Sequence, residues 1–275
     1  DLTKLGNSAF YGCDQLKKVT IGASLTSLNA YAFDDCPKLK TVRVSKSNHV
    51  LYAKDNMLIN KKKKSVIWIA PAKKKVVIPN GTKVIGDYCF YGSKAESLVI
   101  PKSVKKIGKK ALEASDLEKI RLKKGNKVYA KDGSCIYKKK TKELVVVTAS
   151  KGGQVMKISP KVKKITRDAM TAGDNFIVND GSSLDYIVIP ASTILCDSWY
   201  QFYKAGYITC DVVFRGKKLP KYSSGAQNIF PLFCTYYVPK GMVKKYKNWI
   251  KKTAPDYSSI IKVKTCTKKV KKSIK

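Results

Sequence analysis

Few residues of this chain have the type and spacing that enzymatic chemistry requires. His49 is the single histidine among 275 residues, which excludes any site that takes two histidines from one chain. The pairs Ser103/Lys106 and Ser259/Lys262 have the Ser-x-x-Lys spacing of acylated serine enzymes, but the partner motif Lys-Thr-Gly is absent. Lysine is so frequent here that such pairs arise by chance. The hydrolase, dinucleotide and P-loop motifs are absent too, so we expect no enzyme and no cofactor.

The eight cysteines and the scattered carboxylates do not indicate a metal or redox site. No Cys-x-x-Cys pair occurs, which excludes zinc ribbons and thioredoxin-like motifs. A chain of this length does not need disulfides for stability, so we expect most cysteines to be buried free thiols. The carboxylates of Asp34, Asp35, Asp55 and Asp132 occur singly or in pairs among turn residues. We therefore expect no bound metal.

Lysine dominates the charge of the chain. Lys and Arg together number 56 against 19 Asp and Glu, which gives a formal net charge of +37. Only Arg43, Arg121, Arg167 and Arg215 are arginines. A lysine surface attracts polyanions without reading sequence and also serves solubility, whereas guanine is read by the arginine fork, so we expect no specific nucleic-acid binding. No uncharged apolar run approaches ~18 residues, and we expect no membrane span.

The chain repeats itself at two periods. Residues 5–21 align with residues 28–44 at an offset of 23, with identical Leu, Ala, Phe and Cys positions. The pattern L-x-x-[VIL]-x-[VIL] then recurs, with a weaker copy beginning at Ala95. A larger unit returns after 77 residues, because Tyr52–Asp55 reappears as Tyr129–Asp132. Repeats of this length cannot bury their apolar side alone, so neighbouring copies must stack.

Stacking at this period predicts one continuous parallel sheet with a regular core. The inward column of the strands consists of Val19, Val42, Leu98, Ile120 and Ile187. Matching positions of the repeats hold Phe10, Phe33 and Phe90, followed by Leu112. We expect these side chains to stack as a buried aromatic ladder. Cys13 and Cys36 occupy matching positions on adjacent repeats, and we expect both to be buried thiols.

The phrase I-G-x-x-A-F-x-x-C-x-x-L-x-x-I-x-I-P resembles that of BspA-like leucine-rich repeat surface proteins. The insertion that begins with Tyr-Ala-Lys-Asp and the ending at residues 237–247 are similar to theirs as well. The resemblance covers roughly residues 1–250 and is most specific in residues 5–122. It implies an α/β leucine-rich-repeat solenoid, a right-handed superhelix with a parallel sheet on its concave face. It also implies export to a bacterial surface, and adhesion or protein binding.

The predicted binding surface is the strand face that points away from the core. Its residues flank the apolar positions of each strand and are basic, hydroxylic or apolar, with one aromatic. They are Lys18, Thr20, Thr41, Arg43, Ser97, Val99, Lys119, Arg121, Tyr186 and Val188. Two of the four arginines fall at like positions of different repeats, and arginine is frequent at binding hot spots.

The expected domain organisation has three parts. Residues 1–232 form the solenoid, which is irregular over 171–232, where the repeat pattern fades. Residues 233–260 form a cap with a short amphipathic helix over residues 243–253, because Val243, Tyr246 and Ile250 have helical spacing. Residues 261–275 are either an edge strand or the start of a linker to a following domain. The sequence begins inside a repeat without Met, so we expect a piece of a longer protein, with signal and anchor outside it.

Two functions remain open at this point. The first is a secreted or surface-attached bacterial module, monomeric, that binds proteins of a host or neighbouring cell through the outward strand face. The second is binding of an anionic glycan or cell-wall polymer through the lysine-rich surface. Only the second predicts a steep loss of binding with salt.

Overall fold

The computed structural model describes residues 1–112, 117–148, 155–166, 169–172, 185–196, 211–222, 234–253 and 261–274. The chain divides into two compact units, the first comprising Asp1–Tyr129 and Ala172–Asp174, the second Ala130–Thr171 and Asn175–Lys275. Each is a stack of short strands at the repeat period predicted above, as a leucine-rich-repeat solenoid requires. The domain boundaries predicted from the sequence stay a prediction.

The strands of the first unit follow one another at short intervals. They are β1 (Lys4–Leu5), β2 (Lys18–Ile21), β3 (Ser27–Leu28), β4 (Thr41–Val44), β5 (Leu51–Lys54), β6 (Met57–Asn60), β7 (Ser65–Ile69), β8 (Lys75–Val77), β9 (Val84–Ile85), β10 (Ser97–Ile100), β11 (Lys106–Ile107) and β12 (Lys119–Leu122). Parallel pairing joins β2 to β4, β1 to β3, and β8 through β10 to β12. The insertion forms the antiparallel strands β5–β6–β7, which continue in parallel through β9 to β11.

The second unit has the same construction. Its elements are β13 (Tyr129–Asp132), β14 (Cys135–Lys138), β15 (Leu144–Thr148), β16 (Val155–Lys157), β17 (Lys164–Ile165), β18 (Met170–Ala172), β19 (Tyr186–Ile189), β20 (Leu195–Cys196), β21 (Asp211–Phe214), β22 (Thr235–Val238), α1 (Val243–Thr253), β23 (Lys262–Thr265) and α2 (Lys268–Ser273). Five parallel strands form its main sheet in the order β16–β19–β21–β22–β23. The others form a sheet β13–β14–β15–β18 and a pair β17–β20.

The prediction of one continuous parallel sheet is wrong. Val19 and Val42 pair on β2 and β4, Leu98 and Ile120 pair on β10 and β12, and Ile187 belongs to the five-stranded sheet of the second unit. The breaks coincide with the two insertions: β5–β7 lie in the chain between β4 and β8, and β13–β15 lie between β12 and β16. The inward orientation is confirmed for the last four residues of the column, which are buried, whereas Val19 is half-buried.

The aromatic ladder exists, with two corrections. Phe33 and Phe90 are buried, as predicted, but Phe10 is 40% exposed, and among the described residues its ring stacks only on that of Phe33. The Phe10 and Phe33 rings stack with centroids 5.2 Å apart and planes 13° apart. The next ring after Phe33 is Trp68 of the insertion, at 5.1 Å, and not Phe90. Leu112 is buried.

The cysteines near the ladder are free thiols, as predicted for Cys13 and Cys36. Cys36 is buried and its Sγ donates to the carbonyl oxygen of Phe10 at 3.1 Å. Cys13 is only half-buried, which corrects the prediction.

The helix predicted near the end of the sequence is α1. Tyr246 and Ile250 are fully buried in the core of the second unit, and Trp249 lies beside them. The Tyr246 hydroxyl donates to the carbonyl oxygen of Gly216 at 2.8 Å, and its ring lies 4.9 Å from that of Phe214. The strand β23 follows α1 and pairs in parallel with β22, so residues 262–265 form an edge strand.

We expect Gly108→Ala to lower the free energy of unfolding by about 1–3 kcal/mol, the usual cost of overpacking. A Cβ on Gly108 would lie 2.6 Å from the backbone nitrogen of Asp87 and 2.8 Å from the backbone carbonyl carbon of Gly86, so the backbone would have to shift to accept it. Gly6 has the same place in the repeat but nothing within 4 Å of its Cβ position. The matched control Gly6→Ala should change stability by less than about 0.5 kcal/mol. Urea unfolding compares the two variants, and equal effects would contradict the close-packing argument.

Candidate functional site

The outward side chains of the first unit form two aligned rows on β8, β10 and β12. One row is Lys75, Ser97 and Lys119, and the other is Val77, Val99 and Arg121. On the sheet β2–β4 the corresponding pairs are Lys18 with Thr41 and Thr20 with Arg43. These residues together are called the first outward face below. Alternation along each strand places them opposite the buried column.

Solvent reaches most of the first outward face. Lys18, Thr20, Arg43, Lys119 and Arg121 are exposed, whereas Thr41, Ser97 and Val99 are half-buried. The alternation predicted from the sequence is therefore present at these eight residues. Whether they bind a partner stays a prediction.

The sequence prediction missed Lys75 and Val77. Val77 is 51% exposed and pairs with Val99, which gives the first outward face an apolar centre. In the repeat that contains β8, Lys73 stands where the pattern L-x-x-[VIL]-x-[VIL] has Leu. The pattern therefore does not identify this strand. The signal that could have found it is the inward pair Val76 and Ile78, both 1% exposed, which keeps the last two positions of the pattern.

The charge of the first outward face is positive. Among the described residues, no carboxylate lies within salt-bridge distance of the Lys or Arg side chains on this face, while the neighbouring Lys74 Nζ contacts Glu96 Oε1 at 2.8 Å. Arg121 stands beside the pair Val77 and Val99, so a planar guanidinium fork lies next to exposed apolar surface. This combination suits a protein surface that carries a carboxylate beside an apolar side chain.

In the second unit the structure corrects one predicted site residue. Val188 is only 3% exposed, because α2 covers it, and so it does not lie on an open face. Tyr186 is half-buried. Burial raises the pKa of the Tyr186 hydroxyl, and the negative charge of Asp211 raises it further. Val188 therefore differs from the eight residues of the first unit, none of which is buried.

In the described part of the chain, the side chains with potential for covalent chemistry differ in exposure and in protonation. His49 is exposed on the surface. Burial raises the pKa of the Cys36 thiol above its ordinary value, and it raises the pKa of the Cys135 thiol to about 11, so both thiols stay protonated. Asp132 accepts hydrogen bonds from Ser159 Oγ at 2.5 Å and from Lys161 Nζ at 3.3 Å. Within the described part of the chain, no three His, Cys, Asp or Glu side chains cluster as a metal site would require.

A sequence profile of the BspA type leucine rich repeat region matches residues 1–71 and 70–147, in six copies. The chain belongs to this family. The match covers more than half of the sequence and includes the whole first outward face. No curated protein sequence matches this BspA-type protein.

Several solved structures are similar to this BspA-type protein. A leucine rich cell surface protein from Faecalibacterium prausnitzii is 20% identical, with a TM-score of 0.46, over 82% of this chain and 52% of that one. The pneumococcal vaccine antigen PcpA is 18% identical, with a TM-score of 0.44, over 91% and 56%. A leucine-rich repeat protein from Eubacterium ventriosum is 20% identical, with a TM-score of 0.42, over 86% and 64%. The present chain thus spans about half the length of the first two.

The helices of this BspA-type protein that the structure describes are short. None of them is long and apolar enough to cross a membrane.

Proposed function

We propose that this BspA-type protein is a non-catalytic binding module of a bacterial cell surface, and that it holds a protein ligand on its first outward face. The observation that carries the proposal is the register Val77–Val99–Arg121, which sets an arginine fork beside exposed apolar surface. Arginine is enriched at the hot spots of protein interfaces, and the two valines add apolar surface beside it. Membership of the family supports the surface location, which is part of the proposal, as are a host or neighbouring-cell partner and a monomeric state.

The second arginine supports a role beyond solubility. Arg43 and Arg121 both occupy the middle outward position of their strands, and both are exposed. Lysine would serve solubility equally well at either position, and this chain uses lysine nearly everywhere else. A bidentate contact with a carboxylate requires the guanidinium, which lysine cannot replace.

The charge-preserving double variant Arg43→Lys with Arg121→Lys tests the proposal. We expect the affinity for the bound protein to fall about tenfold or more, because two fork contacts are lost while the net charge stays the same. Binding to a panel of extracellular-matrix proteins and to heparin is measured at two salt concentrations.

The matched control is Arg215→Lys, an exposed arginine outside the first outward face. It should leave every affinity unchanged. If the double variant also leaves every affinity unchanged, the first outward face is not the binding surface.

Binding of an anionic polymer is the second candidate. The observation that favours it is the turn Lys61–Lys64 at the tip of the insertion, where all four lysines are exposed. The turn at residues 138–140 is similar, although Lys138 Nζ is engaged with Glu143 Oε2 at 2.7 Å. Heparin binding that falls steeply between two salt concentrations, and that is insensitive to the arginine substitutions, would favour these turns.

A further inference from the structure

On two strands of the main sheet in the second unit, β19 and β21, both faces are covered. On β19 the consecutive residues Ile187, Val188 and Ile189 are all buried, and on β21 the same holds for residues 212–214. In the first unit, by contrast, buried and more exposed residues alternate on β10 and β12. A solenoid strand buries one face against its own core, so another element must cover the outward face here.

That element is α2. Its Val270 and Ile274, one helical turn apart, are 5% and 2% exposed and form an apolar cluster with Val188 and Val213. Tyr186 and Tyr237 flank this cluster, with ring centroids 6.3 Å apart. The outward positions of β19, β21 and β22 at α2 therefore form an apolar groove with tyrosine walls, called the second outward face below.

The helix α2 has little stability of its own. It is six residues long, well below the ~12–15 residues that an isolated helix needs in water. Four of those residues are exposed lysines, and Lys268 and Lys269 lie at the helix N-terminus, where the macrodipole disfavours positive charge. The cap from Thr267, the two apolar anchors and a side-chain hydrogen bond between Ser273 and Tyr186 hold it. Such an element undocks at low cost.

Carboxylates border the second outward face, although acidic residues are scarce in this chain. Asp211 Oδ1 accepts a hydrogen bond from the backbone nitrogen of Thr235 at 2.8 Å, and its charge adds to burial in raising the pKa of Tyr186 and Tyr237. Asp185 acts on Tyr186 in the same direction. The groove thus combines apolar walls with negative charge, which complements a helix that is apolar on one side and lysine-rich elsewhere.

We propose that the second outward face is a receptor site for a short, lysine-rich amphipathic helix, which α2 occupies within the same chain until such a segment of another protein replaces it. The ligand has two apolar side chains at positions i and i+4, as α2 has at Val270 and Ile274. The site lies on a different sheet from the first outward face and stands independently of the proposed function.

The test uses the full chain with Val270→Asp and Ile274→Asp, which removes both anchors and frees the groove. The probe is a fluorescent synthetic peptide with the sequence of residues 267–275. We expect this peptide to bind the double variant at least about tenfold more tightly than the wild type, in which α2 competes for the site. A peptide with aspartate at both anchor positions should not bind.

The matched control is Lys268→Ala with Lys272→Ala, which alters two exposed positions of α2 and leaves the anchors in place. It should bind the peptide as weakly as the wild type. Circular dichroism establishes that each variant is folded, and Ile274→Ala provides a milder release. Mass spectrometry of thiol alkylation supplies a second readout, because Cys266 packs beside the apolar cluster and should react faster once α2 is free.

Two results would overturn the proposal. One is a folded double variant whose Cys266 is accessible but which does not bind the peptide. The other is equal peptide binding by the wild type and the double variant, which would place the peptide elsewhere. Neither result bears on the arginine substitutions of the first outward face, so the two proposals fail separately.

Discussion

Replacing Asn48 by aspartate should lower the free energy of unfolding by about 3–5 kcal/mol. Asn48 is fully buried, and its Nδ2 donates to the carbonyl oxygens of Gly22 and Leu25, both at 2.8 Å. Its Oδ1 accepts from the backbone nitrogens of Val50 at 2.9 Å and Leu51 at 2.7 Å. Aspartate has nearly the same shape but no amide hydrogens, so two carbonyl oxygens would face a buried carboxylate.

The measurement is urea unfolding followed by tryptophan fluorescence. The matched control is Asn29→Asp, because Asn29 is exposed and only accepts, from the backbone nitrogen of Tyr31 at 2.9 Å, as aspartate also can. Asn126 makes the equivalent set of bonds before the second insertion, so Asn126→Asp should resemble Asn48→Asp. Equal losses for Asn48→Asp and Asn29→Asp would contradict this account.

The pH dependence of Asn48→Asp has a definite sign. Burial and the two facing carbonyl oxygens favour the protonated form of the introduced carboxyl, whereas the backbone N–H groups of Val50 and Leu51 favour the carboxylate. We expect burial and the carbonyl oxygens to dominate, so that the pKa of this carboxyl rises above its unfolded value. The folded protein then binds a proton more readily than the unfolded chain, so the loss of stability is largest at neutral pH and diminishes as the pH falls through the raised pKa. A loss that grows on acidification, relative to the wild type, would show that the carboxylate is stabilised in the fold.

These two asparagines also show why the larger repeat could be found in the sequence but not placed correctly. The shared letters align Tyr52 with Tyr129 at an offset of 77, whereas the structure aligns Leu51 with Tyr129, both bonded at the backbone nitrogen to their asparagine. Because side chains alternate along a strand, this one-residue difference reverses the faces. Tyr52 is 37% exposed and Tyr129 only 3%. The identical residues reveal that the insertion occurs twice, but its register is set by the hydrogen bonds of the buried residues Asn48 and Asn126.

The eight predicted site residues of the first unit lie on the outward side because alternation is a local property. Strand pairing at the insertions and the covering of Val188 are not local. The apolar runs Ile187–Ile189 and Val212–Phe214 did carry a signal, since a strand that is apolar at every position is typical of burial on both faces. What covers such a strand lies far along the chain, here at Val270 and Ile274, and the period of the strands contains no information about it.

Truncating Phe33 to alanine should lower the free energy of unfolding by about 3–5 kcal/mol, the range for a buried Phe. The Phe33 ring is 2% exposed and lies between Phe10, whose centroid is 5.2 Å away, and Trp68 at 5.1 Å. The cavity cannot collapse, because backbone hydrogen bonds such as that from the Phe10 nitrogen to the Ala32 carbonyl oxygen at 2.8 Å fix the spacing of the repeats.

Phe10→Ala is the matched control, since it removes the same side chain from the same ladder. Phe10 is 40% exposed and stacks on one side only, so less apolar surface returns to water and no closed cavity forms. We expect its loss to be less than half that of Phe33→Ala. Chemical unfolding gives the two free energies, and the native fluorescence of Trp68 should change in Phe33→Ala because its ring neighbour is gone. Equal losses would mean that burial between two rings contributes nothing beyond the single stacked contact, and that the ladder does not hold the first unit together.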